Sequence, residues 1–210
     1  MSYETDKDEV IKLFDNHIMK YIVKDLEVLD SIKPDSCGAG ACTIPQAIST
    51  FAALDLIGYL THSQDVRTVG MSFIELLKND TYFPEFRQYI SHSNFFYSFR
   101  DNLRSIMTHR FSLTKYDITK NSNRHLFVEE GGRQIFNASC FTKMTLTAIR
   151  NIYQMITTDS FIINGYTKEV TMEKIRTRIE KLKAFDGNNF LPLSNVPIST
   201  TTTQTTSSLG

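Results

Sequence analysis

The sequence predicts an all-α protein: a helical bundle of about six helices with one small β-hairpin inserted and a flexible C-terminal tail. Three observations carry this expectation. Apolar residues recur at three- and four-residue steps through most of the chain, the period of a helix with one buried face. Strand-like character is confined to two short apolar runs around Gly131-Gly132. After Asp186 the composition turns to Pro, Ser and Thr, with little to bury. The expected division is a helical domain over residues 1–186 and a Ser/Thr-rich tail over 187–210.

A first long helix is expected from about Thr5 to Ser31, capped by Thr5 or Asp6. Val10, Leu13, Phe14, His17, Ile18, Tyr21, Ile22 and Val28 or Leu29 outline its buried side. Pro34 stops it, and the small-residue run Ser36–Ala41 reads as a tight connection. That run lacks the Gly-Lys-Ser/Thr of a nucleotide loop. Thr43 is the expected cap of a second helix, with Pro45 in its first turn. Ala47, Ile48, Phe51, Ala52, Leu54, Leu56, Ile57 and Leu60 make that helix apolar on nearly all sides, which marks it as central. Asp55 sits within this apolar surface and needs a cationic partner if buried.

His62–Asp65 reads as a polar turn and Val69–Lys78 as a short amphipathic helix. A further helix is expected from Phe95 to about Arg110. Thr114–Asn123 is polar and irregular, and the hairpin follows, with Leu126–Val128 and Gln134–Phe136 as its strands. Ser139 to about Thr157 is helical again, with Phe141, Met144, Leu146, Ile149, Ile152, Tyr153 and Ile156 as its apolar set. Thr167–Phe185 forms the last helix, presenting Val170, Met172, Ile175, Ile179 and Leu182, with its charges on a solvated face.

The stretch Phe99–Phe111 concentrates the chemistry. It sets Arg100, Arg104, His109 and Arg110 between large apolar residues. Arg104 and His109 are about 140° and about 7.5 Å apart along a helix, close enough for two long side chains to converge on one pocket. A histidine titrates near neutral pH and an arginine fork clamps phosphate oxygens, so the pair suits proton transfer beside a phosphate. A structural use is open as well: Arg104 pairing with Asp55 in the core, and His109 capping the C-terminal end of its helix.

Composition narrows the classes. Lys+Arg and Asp+Glu are both 23 in 210 residues, so nucleic-acid binding requires a local basic patch. No run of about 18 apolar residues exists, and the polar, acidic start is unlike a signal peptide, so the expected location is the cytoplasm, with no membrane partner. The three cysteines, Cys37, Cys42 and Cys140, read as free thiols. No metal-binding histidine spacing and no nucleophile elbow occur, so no metal and no cofactor are expected.

Taken in order, Asp55–Gly58 on a central helix, Tyr82-Phe83-Pro84, Leu103-Arg104-Ser105-Ile106-Met107-Thr108-His109 and a small hairpin resemble the HEPN superfamily of helical domains, in its branch of uncharacterised bacterial proteins. The resemblance spans roughly residues 5–185, the size of one domain. It implies a homodimer in which two such helices face each other, forming in active members a metal-independent ribonuclease site. Arg104 and His109 are then the catalytic pair, and Arg100 and Arg110 supporting or phosphate-binding charge. Ser105 stands where the family usually carries Asn, Asp or His. RNA is the implied substrate, a cognate antitoxin or other protein the implied partner, and toxin–antitoxin or phage-defence action the setting. The alternative is a non-catalytic helical interaction protein in which the Arg-x4-His helix is structural. Small-molecule or nucleotide binding between the helices is a third reading.

Overall fold

The computed structural model describes residues 2–33, 42–63, 111–114, 127–130 and 133–189. The helices expected at Val69–Lys78 and Phe95–Arg110, residues Cys37, Tyr82-Phe83-Pro84 and the tail from residue 190 lie outside them. The described part is mostly helical. Its first helix is continuous but not uniform: α1 (Tyr3–Leu13) passes into a π-helical stretch (Phe14–Val23) and then α2 (Lys24–Ser31). After α3 (Thr43–Thr61) come β1 (Phe111–Thr114), β2 (Phe127–Glu130), β3 (Arg133–Asn137), α4 (Ala138–Thr157) and α5 (Lys168–Asn189).

Helix ends are set by local polar groups. Ser2, not Thr5 or Asp6, caps α1, accepting from the Thr5 amide at 3.4 Å. Asp6 is buried instead and meets Arg176 Nε of α5 at 2.7 Å. The residue before α3 is Cys42 in the left-handed region (φ 50°), and Thr43 is the first helical residue rather than the cap. Asn137 closes β3 and caps α4, its side chain accepting from the Cys140 amide at 3.1 Å. Thr167 caps α5, accepting from the Val170 amide at 3.4 Å.

The helices pack as α1 on α5 and α3 on α4, with α2 against both α3 and α4. Phe14, Ile18, Leu26, Leu54, Ile57, Phe136, Phe141 and Phe161 are the largest fully buried side chains. Each such side chain contributes about 1.5–3 kcal/mol on leaving water. Phe51, Phe136 and Phe141 join the sheet to two helices, with ring centroids 4.8 Å apart for Phe51–Phe141 and 5.2 Å for Phe136–Phe141.

The strands form one sheet in the order β1-β3-β2. β2 runs antiparallel to β3, with Phe127 opposite Phe136 and Glu130 opposite Arg133. β1 lies parallel to β3, with Phe111 opposite Gln134 and Thr114 opposite Asn137. β1 is a third strand beyond the expected hairpin. Phe111-Ser112-Leu113-Thr114 alternates apolar and polar residues, but four residues are the shortest run that carries a strand signal, and this one adjoins the expected helix end at Arg110.

Three expectations about burial are corrected. α3 is not buried on all sides: Ile44, Ile48 and Ala52 are exposed, whereas Ala138–Thr142, Met144–Leu146, Ala148 and Ile149 of α4 are all buried. Arg178 of α5 and His62 after α3 are buried, not solvated. Along the first helix the buried stripe is Val10, Phe14, Ile18, Val23 and Leu26. Tyr21, expected inside, is 53% exposed. Of the alternatives Val28 and Leu29, Val28 is 61% exposed while Leu29 is half-buried, and His17 is exposed too. The cause is the π-helical stretch. Its i→i+5 hydrogen bonds make a wider turn, so the stripe jumps five residues from Ile18 to Val23.

Candidate functional site

Arg100, Arg104, His109 and Arg110 lie outside the described residues. The described element next to them in sequence is β1, which begins at Phe111. β1 is paired with β3 and packed by α3 and α4. Asp55, the fifth residue of interest, is half-buried on α3. The chain that follows the motif is therefore held against the helix that carries Asp55.

At the C-terminal end of α3 the structure gathers polar side chains to which the sequence assigns no role. Arg178 is 4% exposed and donates from Nη1 to Leu60 O at 2.9 Å and to His62 O at 2.7 Å. A guanidinium thereby satisfies carbonyls at the C-terminal end of α3, where the helix dipole favours a cation. Tyr166 donates from its hydroxyl to Ser63 O at 2.7 Å, fixing the next residues. Arg178 had a readable signal: it falls three residues after buried Ile175, itself three after Met172.

A second polar cluster lies between α3 and α4. Gln46 donates from Nε2 to Asp30 Oδ1 at 2.8 Å and to Thr142 Oγ1 at 3.0 Å. Thr142 and Thr50 hydroxyls are 2.9 Å apart, and each also donates to its own helix, Thr142 to Ala138 O and Thr50 to Gln46 O. Gln46, Thr50 and Thr142 are fully buried. Gln46 Oε1 has no hydrogen-bond partner among the described residues. Short polar residues inside apolar helices gave no pattern from which to find this seam.

The third cluster ties the start of α1 to the turn after α4. Tyr3 donates its hydroxyl to Asp159 Oδ1, Lys7 Nζ stands 2.8 Å from the same oxygen, and Lys168 lies over the Tyr3 ring at 5.0 Å. Burial and the bond to Asp159 push the Tyr3 phenol well above its ordinary range. The hydrogen bonds from Lys7 and Tyr3 hold the Asp159 carboxyl below the usual carboxylate range. Asp159 has φ 58° and closes α4: Ser160 N donates to Met155 O at 2.9 Å and Asp159 N to Ile156 O at 3.3 Å, the hydrogen-bond pair of a Schellman motif.

The fourth set links the first helix to α4. Tyr153 donates to Asp15 Oδ1 at 2.5 Å and stacks on Phe14 with centroids 5.9 Å apart. Arg150 pairs with Glu27, and Lys24 Nζ is 2.8 Å from the other Glu27 oxygen. Lys24 and then Arg150 hold the Glu27 carboxyl below its ordinary range. Neither Cys42 nor Cys140 is in a disulfide. Among the described residues no group of His, Cys, Asp and Glu is arranged to hold a metal ion, and no described helix is long and apolar enough to cross a membrane.

Compared with known proteins, the chain matches no family model, no curated protein and no solved structure.

Proposed function

We propose that the protein is an HEPN-like helical domain that cleaves RNA in the cytoplasm without a metal, as a homodimer and as part of a toxin or phage-defence system with a cognate antitoxin. The observation that carries this reading is the Arg104-x4-His109 spacing between apolar flanks. It is supported by the helical scaffold and by β1, which anchors the chain directly after Arg110 against β3, α3 and α4. The helices expected at Val69–Lys78 and Phe95–Arg110 complete the six-helix bundle in this reading.

In the reaction, the His109 imidazole takes the proton of a ribose 2′-hydroxyl as that oxygen attacks phosphorus. The phosphorus–O5′ bond breaks, and the partner copy's protonated histidine returns a proton to the leaving 5′-oxygen. A 2′,3′-cyclic phosphate and a 5′-hydroxyl result. Arg104 forks onto the phosphate oxygens where charge develops, and Arg100 and Arg110 steer the backbone. Cleavage of single-stranded RNA in the presence of EDTA tests this. Wild type is expected to cut, and His109→Ala to cut slower by at least about 100-fold, the scale of a general acid–base contribution. Equal cleavage by both, or none by wild type, removes the ribonuclease reading.

The second reading is a non-catalytic interaction protein in which Arg104 pairs with Asp55. Half-burial of Asp55 on α3, the helix that packs on β1, favours it. It requires Arg104→Ala to lower the melting temperature by several degrees, as the loss of about 1–2 kcal/mol does in a domain of this size. An unchanged melting temperature counts against it.

A further inference from the structure

The first helix carries two apolar stripes, and its π-helical stretch decides which one is buried. On a continuous α-helix Tyr21 and Val28 would lie within about 20° of Val10, whereas Leu26 and Val23 would lie about 160° and about 220° away. The structure reverses this. Val10, Val23 and Leu26 are buried, while Tyr21 and Val28 are 53% and 61% exposed. Ten consecutive π-helical residues, Phe14–Val23, absorb the difference. A π-helix is rare and occurs mostly as single turns, frequently at functional sites, so a run of this length is a distinctive feature of the chain.

We propose that Phe14–Val23 is a register switch. Conversion from π to α hydrogen bonding rotates α2 by about half a turn, exchanging Val23 and Leu26 for Tyr21 and Val28 in the core. The upstream side is a fixed pivot, because Phe14 stacks on Tyr153 at 5.9 Å and Asp15 accepts from its hydroxyl at 2.5 Å. The downstream side is held by a polar latch of two carboxylates on α2. Glu27 pairs with Arg150, and Asp30 accepts from Gln46 at 2.8 Å and faces Lys143 at 3.9 Å. Rotation removes both carboxylates from these partners and turns Lys24 and Asp25 toward the bundle. Those two losses make the π register the resting state. The apolar exchange alone is nearly even, two large side chains for two, so the latch sets the balance.

The chain has no tryptophan, so Tyr21→Trp supplies a single reporter at an exposed aromatic position. In that variant the indole should emit as an exposed group and be quenched freely by acrylamide. Adding Asp30→Ala and Arg150→Ala opens the latch. With helical circular dichroism retained, the emission should shift to the blue and the quenching constant fall by about twofold or more, as for an indole entering a packed interface. Unchanged quenching with the helical signal retained overturns the proposal. If the latch-opened variant loses its helical signal, hydrogen exchange of the wild-type chain decides. Amides of residues 14–23 exchanging about tenfold or more faster than those of α4 support local conversion. Exchange of both segments at one common rate, through global unfolding, overturns it.

Discussion

At the scale of single residues, the described structure depends on a few polar side chains placed where carbonyls or carboxylates would otherwise be buried alone. Arg178 is the clearest case: one nitrogen serves Leu60 O and His62 O at the end of α3. Arg178→Met keeps the packing volume but strands those carbonyls, and should lower the unfolding free energy by about 2–3 kcal/mol. Arg178→Lys should recover part of the loss, since an ammonium on a shorter reach satisfies fewer acceptors. The midpoint of urea unfolding measures both, and a Met variant within about 0.5 kcal/mol of wild type would rule out the capping role. Its place in the stripe with Met172 and Ile175 was visible in the sequence, but its charge argued for the surface and prevailed in the reading. Asp6 misled in the same way. It reads as a helix cap and is a buried partner of Arg176. In both cases the pairing residue lies on a distant segment, which no local pattern records.

At the scale of elements, periodicity located the four described helices to within a few residues of their ends and chose the buried side of α4 correctly. It failed on the first helix for a definite reason. Reading a stripe assumes a constant rotation per residue, and the π-helical stretch departs from it, so Val23 and Leu26 replace Tyr21 and Val28 inside. Counting apolar residues also made α3 look buried on nearly all sides, whereas Ile44, Ile48 and Ala52 are exposed. Of the sequence-predicted site only Asp55 falls among the described residues, so the resemblance that named Arg104 and His109 stays a matter for the cleavage assay. The α4–α5 connection allows a cleaner test of element geometry. Tyr166 N donates to Ile163 O at 3.0 Å across a turn in which Gly165 has φ +87°. A Cβ added there meets nothing within 4 Å, so the penalty of Gly165→Ala is backbone alone. The variant should lose about 1 kcal/mol without a change in fold, read as a lower melting temperature with an unaltered circular dichroism spectrum. Equal stability would mean that the turn relaxes to another form.

At the scale of the whole molecule, the helices are joined at their periphery by charged and phenolic pairs whose titration sets the pH range of stability. Glu27 and Asp159 have carboxyls held below their ordinary values by cations and, for Asp159, by the Tyr3 hydroxyl; Glu169 is lowered by its own amide and by Thr167. A carboxyl lowered in the folded state binds its proton more readily in the unfolded chain, so its contribution is present above the unfolded value and is lost as pH falls through the folded one. Tyr3 and Tyr153 are raised, Tyr3 chiefly by burial and then by Asp159, Tyr153 chiefly by its bond to Asp15. Their contribution is complete below the ordinary phenol value of 10.0 and is lost as pH rises beyond it toward the folded value. The unfolding free energy should therefore form a plateau between about pH 5 and about pH 9 and decline on both sides. Asp159 takes part in both limbs, because one carboxylate oxygen accepts from Tyr3 and faces Lys7 across the joint between α1 and the α4–α5 turn. Asp159→Asn tolerates the left-handed backbone as well as Asp does, so the Schellman closure survives while the charge is removed. That variant should be less stable than wild type on the plateau and should show a shallower decline at both ends. Urea unfolding at a series of pH values from 3 to 11 measures the two limbs together, and limbs unchanged in steepness would show that the α1 joint does not set the pH range.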